Sequence, residues 1–285
     1  MSLWEAPGKL NLSLLVHPRR PDGFHPIEST VQTVEWCDIL DIEDGADERD
    51  RFATTHPDLD PEDNLVVKAL TAVRARGDLP PQIVTLEKSL PIAAGMGGGS
   101  SDAAATVAAA GLRAGLNSED LADIAVQLGA DVPLFLTGGT LRLGGIGEQV
   151  YPLPELSGLA VAVVVPEFGL DTVDVYRAWD HLEGPVGEAL PVRVVPPPLR
   201  DGMPLRNDLL PAALHIEPGL GDFMAEIRAV WGQPLAMTGS GSACFGYFPA
   251  VDEAVDAAAS VAHLCSMAHG VDLRSRGVAV CFGAP

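Results

Sequence analysis

Basic residues are scarce in this sequence. Its 285 residues include 18 lysines and arginines against 39 aspartates and glutamates, which gives a formal net charge of −21 at pH 7. A surface this acidic repels a phosphate backbone, so the composition argues against a nucleic-acid-binding protein. It also means that any anionic ligand has to be held by a local positive field that works against the net charge.

Cysteines and long apolar runs are scarce as well. The four cysteines show no CxxC pair or other metal-binding spacing. A core of this size needs no disulfide framework, so we expect reduced thiols and a cytoplasmic protein. No uncharged apolar run reaches membrane-spanning length, and the N-terminus lacks the basic and apolar segments of a signal peptide. We therefore expect no membrane partner.

The apolar residues, 47% of the chain, follow a mixed pattern of strands and helices. The segment from residue 41 to 63 has ten acidic residues and is predicted to be a solvated loop. Ser118 is the predicted N-cap of a helix. The pattern predicts an α+β fold in two halves, residues 1–155 and 156–285, with strands at 10–16, 30–42 and 160–165 and helices at 64–76 and 251–268.

A glycine-rich segment, PIAAGMGGGSSD at residues 91–102, lies between a predicted strand and a predicted helix. Glycine adopts positive φ without penalty, which lets backbone N–H groups approach an anion closely. The following helix N-terminus adds unpaired donors and the positive end of its dipole. The segment fits neither the Walker A pattern nor a clean Rossmann fingerprint. It predicts a phosphate cradle, with an ordinary glycine turn as the alternative.

Three other short segments carry residues suited to catalysis or binding: PGKLN at 7–11, GADVP at 129–133 and TGSGSACF at 238–245. Taken singly, each has an ordinary structural interpretation. Lys9 would be a surface residue, and Asp131 would cap a helix whose first turn holds Pro133. The late glycine-serine segment would be a plain turn.

Taken together, these segments resemble the three motifs of the GHMP kinase superfamily, which includes galactokinases and homoserine, mevalonate and phosphomevalonate kinases. DGFH at 22–25, DNL at 63–65, GADVP and NDLL at 207–210 are similar to the 4-diphosphocytidyl-2-C-methyl-D-erythritol kinase family of the non-mevalonate isoprenoid pathway. The resemblance implies an N-terminal ribosomal-protein-S5-like domain and a C-terminal ferredoxin-like domain. It also implies ATP-dependent phosphorylation of the 2-hydroxyl of a cytidine-diphosphate-linked methylerythritol.

The same resemblance assigns the catalytic and nucleotide-binding residues. Asp131 would orient and deprotonate the acceptor hydroxyl, and Lys9 would hold that hydroxyl and the transferring phosphoryl group. ATP would bind with Mg²⁺, for which Ser101 is the predicted protein ligand and Ser100 the second candidate. The predicted nucleotide-binding residues are Asn64, Lys88, Pro91, Gly95, Gly97, Gly98, Gly99, Ser100 and Ser101.

On the acceptor side, the family holds a cytidine ring between aromatic residues and reads its edge with a histidine. Phe24 stands where the family more often has tyrosine, so any contact from a phenolic hydroxyl is lost. The predicted substrate-binding residues are Asn11, Phe24, His25, Thr172, Tyr176, Gly239 and Ser240. The alternatives are a GHMP kinase with a homoserine, mevalonate or sugar acceptor, and a nucleotide sensor without catalysis. The presence of both Lys9 and Asp131 argues against the sensor.

Overall fold

A computed structural model describes residues 2–46, 49–56, 59, 63–191, 195–200, 202 and 204–282. Its strands are β1 (Ser2–Val16), β2 (Ile27–Asp44), β3 (Arg51–Thr54), β4 (Gln82–Glu87), β5 (Thr140–Gly144), β6 (Gln149–Pro152), β7 (Ala160–Val165), β8 (Ala236–Met237), β9 (Cys244–Phe248), β10 (Met267–Asp272) and β11 (Ala279–Phe282). Its α-helices are α1 (Leu65–Arg74), α2 (Gly98–Arg113), α3 (Ser118–Leu128), α4 (Val132–Thr137), α5 (Thr172–His181), α6 (Leu210–Ile216), α7 (Gly219–Trp231) and α8 (Val251–Val261).

The larger sheet has seven strands in the order β11-β1-β2-β4-β3, and β5 and β6 extend it from β2. Strand β1 is buried along most of its length because it passes through three clusters of apolar side chains. Trp4 packs in the core beneath α1 and α2, Leu10 in the cluster shared with β7, and Leu14 in the cluster around α5 to α7. The middle of β1 therefore lies where the two halves of the chain meet.

The smaller sheet has four strands in the order β10-β7-β9-β8. Its central strand β7 reads AVAVVV and is buried on both faces. The small residues Ala160 and Ala162 pack with Ala254 and Ala258 of α8, whereas the valines at 161 and 163 face the cluster shared with β1. This alternation lets a helix lie close on one face of the sheet while larger side chains fill the other.

The structure confirms the mixed α and β character and corrects several predicted boundaries. Residues 30–42 belong to one long strand, and β3 lies inside the acidic stretch that we expected to be a loop. Asn117, not Ser118, caps α3, and its side chain accepts hydrogen bonds from two backbone N–H groups. The predicted helix 251–268 ends at Val261, and β10 follows after a short 3₁₀ turn.

Three further observations concern the described chain. All four cysteines are unpaired, as expected. Across the described ranges, no helix has the length and apolar character needed to cross a bilayer. The last strand, β11, returns to pair with β1 in the larger sheet, so the end of the chain rejoins its beginning. The division into domains at residue 155 stays a prediction.

Candidate active site

A cavity of about 570 Å³ opens where β1, the glycine-rich segment, α5 and the turn before β9 converge. Fifteen of the predicted site residues line it, which is the main evidence that they form one site. They are Lys9, Asn11, Asn64, Lys88, Pro91, Gly95, Gly97, Gly98, Gly99, Ser100, Asp131, Thr172, Tyr176, Gly239 and Ser240. Phe24, His25 and Ser101 are not part of this lining.

Lys9 and Asp131 face each other in this cavity. The Lys9 side chain is only 6% exposed, and its Nζ lies 3.9 Å from Asp131 Oδ2 and 2.5 Å from Asn11 Oδ1. Burial lowers the pKa of the Lys9 ammonium, and the Asp131 carboxylate opposes that shift. Asp131 occupies the N-cap position of α4, but its side chain makes no capping hydrogen bond. The predicted N-cap position and the proline in the first turn are confirmed, but the carboxylate is not used as a cap and is available to a ligand.

The glycine-rich segment ends in the N-terminus of α2. Gly97 adopts φ 73° at the N-cap and supplies no side-chain cap, so the first amides of α2 keep their unpaired donors. A Cβ at Gly95 would lie 2.2 Å from the Thr238 carbonyl oxygen, and one at Gly97 would lie 2.9 Å from the Phe135 ring. The backbone fits this space only without side chains. These features suit an anion bound at the helix N-terminus, as a phosphate cradle requires.

Lys88 lies at the edge of the cavity, but its ammonium group is paired inside the protein. It donates to Asp38 Oδ2 and, over 2.9 Å, to Asp102 Oδ2. Asp38 also accepts the backbone N–H groups of residues 89 and 90. Burial raises the pKa of Asp102 to about 8, against the effect of the Lys88 charge. This arrangement fixes the strand end that leads into the glycine-rich segment.

The two serines at the start of α2 differ in accessibility. Ser100 lines the cavity, whereas Ser101 is fully buried and its Oγ has no hydrogen-bond partner. Within the described part of the chain, no group of three or more histidine, cysteine, aspartate or glutamate side chains is arranged to hold a metal. A metal ion here would depend mainly on oxygens that a phosphate ligand brings with it.

The residues predicted to bind the acceptor lie on α5 and on the loop after β1. The His25 ring stacks on Tyr176 at 5.2 Å between centroids, and its Nε2 lies 3.4 Å from Asp180 Oδ1. Burial raises the pKa of Tyr176 to about 12, with a further contribution from the Asp131 charge. Phe24 is 56% exposed. The structure thus brings His25 and Tyr176 together and leaves Phe24 at the surface.

Several residues that support the site carried no predicted role. Thr238 Oγ1 accepts the backbone N–H of Asn11 at 3.0 Å and donates to the Gly95 carbonyl at 3.2 Å, which joins β1 to the glycine-rich segment. Asp38 and Asp102 hold Lys88, as described above. Asn207 belongs to the NDLL segment, the one signal that pointed to it, and it contacts the turn at Gly239. The contacts of Thr238 and Asp38 span long stretches of sequence and left no local signal.

Comparisons with known proteins show that this chain is similar to kinases. A model of the GHMP kinases N terminal domain matches residues 64–139. The chain is 37% identical over 268 residues to a 4-diphosphocytidyl-2-C-methyl-D-erythritol kinase of Mesorhizobium japonicum, covering 90% of each chain. It is 38% identical over 268 residues to the protein of that name from Paracoccus denitrificans, again covering 90% of each.

Solved structures agree with these relatives. A crystal structure of a 4-(cytidine 5'-diphospho)-2C-methyl-D-erythritol kinase is similar with a TM-score of 0.79 and 32% identity, over 95% of this chain and 98% of that one. A homoserine kinase from Cytophaga hutchinsonii has a TM-score of 0.70 at 17% identity, over 98% and 96% of the two chains. At that distance the likeness concerns the fold alone. The predicted fold class is confirmed.

Proposed function

The chain belongs to the 4-diphosphocytidyl-2-C-methyl-D-erythritol kinase family of GHMP kinases, and from this premise we propose how its site works. The protein is a small-molecule kinase of the non-mevalonate isoprenoid precursor pathway. It transfers the γ-phosphoryl group of ATP to the 2-hydroxyl of 4-diphosphocytidyl-2-C-methyl-D-erythritol. The observation that carries the proposed mechanism is the Lys9–Asp131 pair, which lies in the same cavity as the N-terminus of α2.

Asp131 accepts the proton of the acceptor hydroxyl and orients its oxygen toward the phosphoryl group. Its carboxylate is 38% exposed toward the cavity and free of capping bonds. Lys9 holds the hydroxyl and the equatorial phosphoryl oxygens by its charge. Phosphoryl transfer requires positioning and charge neutralisation far more than covalent help from the protein. The Asp131 carboxylate supplies the positioning, and the buried Lys9 ammonium beside it supplies the charge neutralisation.

The nucleotide phosphates lie against the amides at the start of α2, in a segment where Gly95 and Gly97 allow the backbone to pack against Thr238 and Phe135. Asn64 and Lys88 border the adenine side. Mg²⁺, when bound with ATP, would supply positive charge that neutralises the phosphates, and the Ser100 hydroxyl would be the protein group near it. Ser100 lines the cavity, whereas the predicted metal ligand Ser101 is fully buried.

The acceptor's cytosine base lies against Tyr176 and His25, with Phe24 folding over it from the surface. Asn11 and Thr172 lie along the sugar and diphosphate. Thr172 Oγ1 is 2.8 Å from Ser240 Oγ, which joins α5 to the turn before β9. A cytoplasmic location and the absence of a nucleic-acid partner stay predictions of the acidic, cysteine-poor composition.

A coupled ADP-release assay with ATP, Mg²⁺ and the cytidine-linked acceptor tests these roles. We expect Lys9→Ala and Asp131→Asn each to lower kcat at least about a hundredfold, because each removes a group that acts on the reacting atoms. Lys68→Ala is the matched control: it removes an exposed lysine that pairs with Asp63 and does not itself line the cavity, and it should leave kcat unchanged. Full turnover in both site variants would contradict the assigned roles.

A further inference from the structure

The turn from Thr238 to Gly241 crosses the cavity beside Lys9. The Gly241 N–H donates to the Thr238 carbonyl at 3.0 Å, and Gly239 adopts φ 57°, as the first central residue of a type II′ turn requires. A Cβ at Gly239 would lie 3.3 Å from Lys9 Nζ and 3.0 Å from the Gly95 carbonyl oxygen. The backbone of this turn therefore lies between the catalytic ammonium and the phosphate cradle.

Asn207 holds this turn from the side away from the cavity. It is 6% exposed, and its Nδ2 donates to the carbonyl oxygens of Met237 at 2.9 Å and Gly239 at 2.8 Å. Its Oδ1 accepts the Leu209 N–H at 2.9 Å. The two carbonyl acceptors and the one N–H donor fix the orientation of the amide, because the flipped amide would face oxygen with oxygen. The Asn207 side chain therefore fixes the direction of each of these two carbonyl groups.

The fixed Gly239 carbonyl determines where the next N–H group points. The Gly239–Ser240 peptide bond is trans, so its C=O and N–H lie on opposite sides. The Ser240 N–H therefore points away from Asn207. Ser240 lines the cavity and Asn207 does not. Among the described residues, the Ser240 N–H has no hydrogen-bond acceptor. It is a free donor directed into the cavity.

We propose that Asn207 is a positioning residue that directs the Ser240 amide at a phosphate oxygen of the bound substrates, next to the Lys9 ammonium. This inference rests on the proposed function and adds a backbone donor to it. A donor that is fixed before the reaction costs no reorganisation when charge develops on the phosphoryl oxygens. The oxygen belongs either to the ATP γ-phosphate or to the acceptor diphosphate, and the experiment below separates the two.

The direct test is NMR of the wild-type protein labelled with ¹⁵N-serine, in which the Ser240 amide is assigned from a Ser240→Ala sample. We expect its proton resonance to move downfield when a phosphate oxygen accepts its hydrogen bond. A shift with a non-hydrolysable ATP analogue assigns the γ-phosphate, and a shift with CDP assigns the acceptor diphosphate. No shift at saturation with both ligands together would overturn the proposal.

Kinetics of Asn207→Asp give the functional test, because a carboxylate repels the two carbonyls that Asn207 holds. We expect kcat to fall about ten- to a hundredfold with KM for ATP changed less than about twofold, since the hydrogen bond seen in the ground-state complex strengthens as charge develops in the transition state. Asn117→Asp, the same chemical change at the exposed cap of α3, is the control. Unchanged kcat per folded enzyme would overturn the positioning role.

If Asn207→Asp does not fold, Asn207→Ser is measured in its place. Serine keeps one hydrogen-bond donor, so this variant should show a smaller fall in kcat with unchanged KM for ATP. If the wild-type protein does not phosphorylate the acceptor, the proposed function fails. The Ser240 shift with the ATP analogue then still supports or overturns the role of Asn207.

Discussion

The charge of the Lys9 side chain depends on the residues that surround it. Its position in PGKLN predicted a role, but the sequence could not show that its side chain is buried beside Asn11 and Asp131. The burial follows from β1, which carries Lys9 into the contact between the two halves of the chain. A buried ammonium loses hydration, so its charge depends on the partner that faces it.

This dependence predicts a pH effect. Burial lowers the pKa of Lys9 from its ordinary value of 10.5, and Asp131 raises it. Because the charged form is the active one, kcat should fall as the pH rises through this lowered pKa, before ordinary lysines titrate. Asp131→Asn should lower the pKa of Lys9 further, since it removes the opposing carboxylate.

The measurement is an NMR titration of protein labelled with ¹³C-lysine. The chain has only three lysines, at positions 9, 68 and 88. A Lys9 resonance that titrates at the ordinary lysine value of 10.5, or that is unaffected by Asp131→Asn, would contradict this prediction.

Among the elements, the glycine-rich segment leading into α2 was largely predictable because its signal is local. The glycines at 95 and 97, the serines after them and the helix formers of α2 are neighbours in sequence. The α8–β10 boundary was not predictable in the same way. Helix-forming residues continue past Val261, and pairing of β10 with β7 decides where the helix stops. The Lys88–Asp38–Asp102 contacts likewise join separate elements.

The glycine-rich segment packs closely against the turn before β9, and a substitution at Gly95 tests this packing. Gly95→Ala would place a Cβ 2.2 Å from the Thr238 carbonyl oxygen at φ 78°, so the glycine-rich segment would have to move away from the turn. Gly115→Ala is the matched control, because Gly115 has φ 69° and no atom within 4 Å of the new Cβ. The control should cost about 1 kcal/mol of unfolding free energy.

We expect Gly95→Ala to cost about 2 kcal/mol more than this control, because a backbone oxygen cannot give way as a flexible side chain can. It should also lower kcat, since Thr238 and Gly239 shift with the segment. Urea unfolding monitored by tryptophan fluorescence measures both variants. Equal costs for the two substitutions would show that the segment and the turn are not closely packed.

In the molecule as a whole, contacts made by Arg274 and by strand β11 join the late part of the chain to strands β1 and β2. Arg274, which is fully buried, donates to Glu5 over 2.7 Å and to Glu35 over 2.6 Å, and β11 then pairs with β1. These contacts link residues more than 230 positions apart, so no local pattern predicts them. Composition and periodicity predicted only an α+β fold in two halves. The more specific prediction of a GHMP kinase fold came from the resemblance to that kinase family.

The proposed reaction depends on the whole molecule, because the cavity in which we propose that donor and acceptor bind is lined by residues of both halves of the chain. It can be observed by ³¹P NMR of a mixture containing the protein, ATP, Mg²⁺ and 4-diphosphocytidyl-2-C-methyl-D-erythritol. We predict one new phosphomonoester resonance that appears in step with ADP, with carbon couplings that place the phosphate on the 2-hydroxyl carbon. ADP without a phosphorylated acceptor, or no reaction while homoserine, mevalonate or a sugar is phosphorylated, would contradict the account.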